Sequence, residues 1–137
     1  MTGPISDLSQ LLATLSPTRH PGVYVFCCVP LEHDRAGLQP VVTVQEPEGL
    51  TLVLTEQQAQ TAGLAVLYRA AWITLEVHSD LHAVGLTAAV ATALAEEGLS
   101  CNVVAGAHHD HLFVPIAVAQ RAMQALRRLQ EQAAAGG

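Results

Sequence analysis

Between Val77 and Pro115 the order of turn-formers and apolar runs leaves the chain few ways to fold. A β-type run ends in a short polar loop, Val77-His78-Ser79-Asp80. Gly85 then opens a long alanine-rich stretch of helical character, and Gly98 closes it, because glycine takes the left-handed conformation past a helix end without steric cost. A strand begins at once, and a hairpin around Asp110 returns the chain as Leu112-Phe113-Val114. The order strand, loop, helix, strand, hairpin, strand predicts a helix lying over an antiparallel sheet.

That helix, expected from near His82, is apolar almost all round: Val84, Leu86, Ala89, Val90, Ala93 and Leu94, with charge only at Glu96 and Glu97. A helix covering a single sheet shows a polar stripe. This one is therefore expected to be buried on more than one side, by a partner subunit in a homodimer or by the other half of the same chain.

The 137 residues suffice for one ordinary domain or two small fused ones, and a composition that is 50% hydrophobic supplies a core. With a formal charge of −6 and its six basic residues scattered, the chain lacks the clustered positive charge that a nucleic-acid surface needs. No apolar run approaches the roughly 18–20 residues of a membrane span, and Met1-Thr2-Gly3-Pro4 does not open a secretory signal. Cys27, Cys28 and Cys101 sit in apolar strand patterns. An odd number without framework spacing points to small buried hydrophobes and a reducing, cytoplasmic setting.

The remaining elements follow from caps and breakers. Ser6 or Asp7 caps a first helix through about Leu15, which Pro17 and Pro21 stop. Strands are expected over Val23–Val29, Val41–Val44 and Leu50–Leu54, the last two joined by the acidic turn Glu46-Pro47-Glu48-Gly49. Thr55 caps a short helix, Glu56 to Ala62, ended by Gly63. Leu64–Tyr68 and Ala71–Val77 read as two strands or one bent strand, and Ala117 to about Ala133 as a last amphipathic helix with Ala119, Ala122, Met123, Leu126 and Leu129 inward. A faint internal repeat aligns Ala59-Gln60-Thr61-Ala62 with Ala119-Gln120-Arg121-Ala122, and Gly22 with Gly98. Together these predict an α+β fold: two ferredoxin-like subdomains in tandem, residues 1–70 and 71–137, with antiparallel sheets covered by helices.

The second half, about Trp72 to Leu126, resembles an ACT domain of the aspartokinase regulatory type, through Ser79-Asp80 and Gly85 at the strand-to-helix loop, then Gly98-Leu99 and Asn102-Val103. The whole chain is similar to a small bacterial family of tandem ACT-like proteins, through Gly22–Cys27, Glu48–Val53, His78–Ala89, Cys101–Gly106 and His109–Pro115. That family's name states a fold and not a function. It is similar in turn to the tandem ACT module of a eukaryotic cytosolic arginine sensor. The resemblance implies a non-catalytic regulatory protein that binds a small molecule, an amino acid in the first instance. It places the ligand at Ser79, Asp80, Ala83, Val84 and Gly85, completed by Asn102 and Val103.

The residue chemistry suits that expectation. A helix start offers unpaired backbone N–H groups and a positive dipole end to a carboxylate. Asp80 can accept from an ammonium, Ser79 can bond either group, and the Asn102 amide both donates and accepts. The plainer alternative is that Ser79 or Asp80 caps the helix and Asn102 satisfies a strand end. His108-His109-Asp110-His111 is the sharpest polar cluster. In a regular strand His109 and His111 share a face, so His109, Asp110 and His111 are an alternative metal or pH-sensing group, which His78 and His82 could join. Against this, the segment reads as a hairpin with Asp110 supplying the turn. A catalytic convergence of Ser79, Asp80 and His109 has no motif to support it. No cofactor is expected, and a purely structural dimerisation module remains the third reading.

Overall fold

A computed structural model describes residues 7–77 and 85–136. Its elements run α1 (Leu8–Ala13), β1 (Ser16–Arg19), β2 (Tyr24–Val29), β3 (Val42–Glu46), β4 (Gly49–Thr55), α2 (Glu56–Ala62), β5 (Tyr68–Glu76), α3 (Leu86–Glu96), β6 (Asn102–Ala105), β7 (Asp110–Pro115) and α4 (Ala119–Gly136). The chain forms two compact units: Pro21–Ala71 is one, and the chain through His20 together with Trp72 onward is the other. The long strand β5 gives Tyr68–Ala71 to the first and Trp72–Glu76 to the second. Both units pair their strands antiparallel and carry helices, as expected of an α+β fold.

In the Pro21–Ala71 unit the strands lie in the order β3–β4–β2–β5. Alternation sorts the side chains: Val25, Cys27 and Val29 of β2 and Leu50, Leu52 and Leu54 of β4 form the core with Ala59 of α2. Cys28 points the other way and is exposed, so of the three thiols only Cys27 is a fully buried hydrophobe. The expected caps of α2 are in place. Thr55 Oγ1 accepts from the Gln58 N–H at 3.2 Å, and Gly63 ends the helix at φ 69°. Leu64–Leu67 does not extend β5 as expected. Leu67 donates one backbone bond to the Phe26 carbonyl and is 70% exposed, and paired strand starts only at Tyr68.

The other unit orders its strands β1–β5–β7–β6. β1 was not expected. It is a four-residue strand containing Pro17, paired antiparallel to β5 with Ser16 opposite Glu76 and Arg19 opposite Ile73. Proline is tolerated there because an edge strand leaves one row of N–H groups unpaired anyway. α1 is capped by Asp7, whose carboxylate accepts from the Gln10 N–H at 3.0 Å. It packs on α4, and the Gln130 side chain donates to the Ala13 carbonyl at 2.6 Å. The first helix of the sequence therefore shares a core with the last.

α3 buries Leu86, Val90 and Leu94, whereas Thr87, Ala88, Ala91, Thr92 and Ala95 are exposed on the single chain. Alanine made the sequence look apolar all round, but each exposed methyl presents little area. The helix ends at Gly98 with φ 74°, and two α4 arginines serve its C-terminus: Arg121 donates to the Glu97 carbonyl at 2.8 Å and Arg128 pairs with the Glu97 carboxylate at 2.6 Å. The inner face of α4 is Ala119, Ala122, Met123, Ala125 and Leu126.

Candidate functional site

Strand alternation gives the sheet of the second unit two unlike faces. Ile73 and Leu75 of β5 and Leu112 and Val114 of β7 point into the core. Trp72, Thr74 and Glu76 project from the opposite face, and His111 of β7 reaches them. His20, just after β1, donates its backbone N–H to the Trp72 carbonyl and stacks its ring on the indole, with centroids 3.5 Å apart and planes 12° from parallel. His20 Nε2 lies 2.7 Å from Thr74 Oγ1, which lies 3.1 Å from His111 Nδ1. The Trp72 indole donates to the same His111 nitrogen at 3.2 Å, and Phe113 stacks on the indole's far reach at 6.3 Å.

This array fixes protonation. An indole N–H only donates, so His111 Nδ1 accepts, and the ring is neutral with its proton on Nε2. Burial depresses the His111 basicity, the neighbouring His109 adds to the effect, and Asp110 opposes it. His20 is lowered too, by burial first and then by His111, against Glu76. Burial raises the Asp110 carboxyl, with His111 pulling the other way. Gly106 makes room for the ring: a Cβ there would stand 3.1 Å from His111 Nε2 and 2.9 Å from the His109 carbonyl.

The hairpin turn occupies Gly106–His109, closed by a bond from the Gly106 N–H to the His109 carbonyl at 2.9 Å. Asp110 is thus the first residue of β7, opposite Ala105, and does not supply the turn as expected. His109 stands in the turn, exposed, so it does not share a strand face with His111. Among the described residues no three His, Cys, Asp or Glu side chains gather as a metal-binding group.

The end of β5 and this turn enclose a cleft of about 380 Å³, lined by Glu76, Val77, His108 and His109. Its lining supplies one carboxylate and two imidazoles, groups whose chemistry complements a small zwitterion. A wider groove of about 640 Å³ runs between helices, with Gly85, Ala88, Ala89 and Thr92 of α3 on one wall and Ala125 and Leu129 of α4 on the other. Glu96, Glu97, Arg128 and Gln132 also line it, and Glu97 and Arg128 are paired with each other. The smaller cleft is the better candidate because it lies at the end of β5, which in sequence leads into the Ser79–Gly85 segment that the family resemblance assigns to the ligand.

Ser79, Asp80, Ala83 and Val84, with His78 and His82, lie outside the described residues. Gly85 is the N-cap of α3 at φ 99°, a left-handed conformation that favours glycine, and a Cβ there would meet Leu8 Cδ2 at 3.0 Å. Asn102 is exposed at the start of β6 opposite Phe113, and Val103 is half-buried opposite Leu112. Both are at the far end of β6 from the turn, roughly 10 Å at 3.3 Å per residue, and neither lines the cleft. Sequence reasoning passed over His20, Trp72, Thr74 and Glu76. The alternation of Trp72, Thr74 and Glu76 with Ile73 and Leu75 was the available signal for three of them. His20 needed the pairing of β1 with β5, which joins residues 54 positions apart.

Comparison with known proteins agrees with the fold. An ACT domain family matches residues 3–71 and a second ACT domain family matches residues 68–128. A crystallised protein of unknown function from Vibrio cholerae, described as a possible transport protein, is 52% identical over 90% of this chain and 95% of its own, with a TM-score of 0.82. A protein from Agrobacterium tumefaciens has 16% identity, a TM-score of 0.67, and coverage of 85% of this chain and 89% of its own. The ligand-free regulatory subunit of aspartate kinase from Thermus thermophilus has 11% identity, a TM-score of 0.66, and coverage of 85% and 96%. The last two show likeness of fold alone. No curated protein sequence matches significantly. Among the described residues no helix is long and apolar enough to cross a membrane. ACT domains are typically regulatory, ligand-binding modules and not catalysts. Both halves of the chain match ACT models and a relative more than half identical shares nearly its whole length, so the chain belongs to the ACT domain family.

Proposed function

We infer that this protein is a non-catalytic cytoplasmic sensor that binds an amino acid, or a zwitterion of that size, and works as a homodimer. The observation that carries this reading is the cleft of about 380 Å³ at the end of β5, lined by Glu76, His108 and His109. In sequence, Ser79–Gly85 follows closely on β5, and we assign Ser79, Asp80, Ala83, Val84 and Gly85 to the ligand. Glu76 accepts from the ammonium, and the imidazoles and the start of α3 donate to the carboxylate. Asn102 and Val103, assigned to the ligand from the family resemblance, lie on β6 outside this cleft. The small-residue face of α3 suits close approach by a second copy.

A thermal-shift screen against the twenty amino acids tests the reading. A ligand present at 100 times its Kd adds about 2.7 kcal/mol to the stability of the native state. For a chain of 137 residues that corresponds to a rise of roughly 9 °C, taking an unfolding entropy of about 2.1 cal/mol/K per residue. If no amino acid at millimolar concentration raises the melting temperature, the assignment of ligand class fails.

A further inference from the structure

The array on the sheet face is more than packing. We propose that His20, Trp72, Thr74 and His111 form a proton-operated latch across β1, β5 and β7, closed while His111 is neutral and opened when a proton adds to its Nδ1.

The count of donors and acceptors leads to this. Neutral His111 carries its proton on Nε2, so the next proton can go only to Nδ1. That nitrogen is the one on which both the Trp72 indole, at 3.2 Å, and the Thr74 hydroxyl, at 3.1 Å, converge. Adding the proton sets N–H against N–H, and the indole bond breaks. Thr74 can reverse its role, accepting from the new Nδ1–H while it donates to His20 Nε2 at 2.7 Å. That arrangement needs His20 as the uncharged tautomer with Nε2 bare; a charged His20 would leave Thr74 accepting from two imidazolium N–H groups at once. The hydroxyl thus couples the two imidazoles, and the first proton to enter disfavours the second.

The surroundings set the operating range. Among the described residues, the titratable groups facing the pair are Glu76 from β5, which favours a charged His20, and His109 and Asp110 from the hairpin, which act on His111 in opposite senses. β6 contributes none, and Arg19 of β1 is opposite Ile73, on the other face. Burial lowers both imidazoles, so the latch is closed at neutral pH and opens in mildly acidic solution. Opening frees β7 from its side-chain tie to β5 next to the turn that carries His108 and His109. Its effect on the cleft rests on the proposed binding reading; the latch itself does not.

The chain has one tryptophan, so Trp72 provides a single indole N–H resonance. The test follows that resonance, and the tryptophan fluorescence, in the ligand-free protein from pH 8 to pH 4.5. The latch predicts one titration with a midpoint below the ordinary imidazole value of about 6.5. His20→Gln removes the titrating imidazole stacked on the indole; when His111→Asn is added to it, with a side-chain oxygen that replaces Nδ1 as acceptor but cannot titrate, the indole resonance stays constant. In His20→Gln the resonance still moves, because the proton that opens the latch belongs to His111. A wild-type indole resonance that does not respond between pH 8 and 4.5 overturns the proposal whatever the variants do. A titration that persists in the His20→Gln, His111→Asn double variant also overturns it. Since no ligand is present, either failure is distinct from a failure to bind amino acids.

Discussion

Replacing Leu11 by alanine isolates the contact that joins the two ends of the sequence. α1 has six residues, far too few to hold a helix in water by itself, so its structure depends on what it packs against. Leu11 is fully buried, while Leu8, one turn earlier, is 37% exposed. Truncation of Leu11 loses about 2–2.5 kcal/mol of apolar transfer, at about 0.8 kcal/mol per buried carbon. The cavity left against α4 adds to this and brings the total to about 3–4 kcal/mol. At roughly 0.29 kcal/mol/K for a chain of 137 residues, the melting temperature falls by about 10–14 °C if the chain melts in one transition. Leu8→Ala, made in parallel, costs about 1 kcal/mol because much of that side chain is already in water. Calorimetry or urea unfolding measures both. If Leu11→Ala costs less than about 1 kcal/mol, or no more than Leu8→Ala, α1 does not share a core with α4 as described.

Three further outcomes follow from local features. Thr55→Ala removes the cap of α2 and costs about 1 kcal/mol in urea unfolding; no change would mean the cap bond contributes nothing. Burial pushes the Cys101 thiol up to about 11 and raises Cys27 as well, whereas Cys28 is exposed, so one thiol reacts quickly with Ellman's reagent at pH 8 and all three react after unfolding. Fast reaction of two thiols in the native protein would contradict the burial of Cys101. His20 and His111 are depressed in the folded chain, so the unfolded chain takes up protons first as pH falls. Their contribution to stability is complete above about pH 6.5 and is lost as pH drops through their lower folded values. Asp110, raised by burial, acts in the opposite sense within the carboxylate range. A stability that stays flat from pH 7 to pH 5 would contradict the two histidine shifts.

The parts of the fold that were legible in the sequence are those with local causes. α2 is bounded by Thr55 and Gly63, each acting within a turn of its own position, and both act as read. α4 repeats its apolar residues at helical spacing, and four of the five expected inward residues are buried; Leu129 is only half-buried, and Ala125 joins the inner face instead. β1 was invisible because its reason to exist is a partner, β5, far along the chain, and Pro17 disguised it. Leu64–Leu67 looked like strand by composition, but composition does not supply the second row of hydrogen bonds. The histidine motif was noticed, yet its geometry turned on Gly106. The small residue lets the turn close one step before Asp110, which moves His109 off the face of His111. The partners of His111 were missed because Trp72 is 39 positions away, and no short-range pattern reports such a meeting.

The central claim, that a zwitterion of amino-acid size binds at the end of β5, is tested most directly by chemical-shift mapping. The labelled protein is titrated with the amino acid that most raises its melting temperature, or with each of the twenty at millimolar concentration if none does. The account predicts saturable shifts concentrated at Glu76, Val77, Gly85, His108 and His109. The surface between α2 and Ala36–Leu38, which encloses a cavity of similar volume but no ionisable side chain, stays unperturbed. Shifts that cluster at that second cavity, or no saturable shift with any amino acid, would contradict the claim.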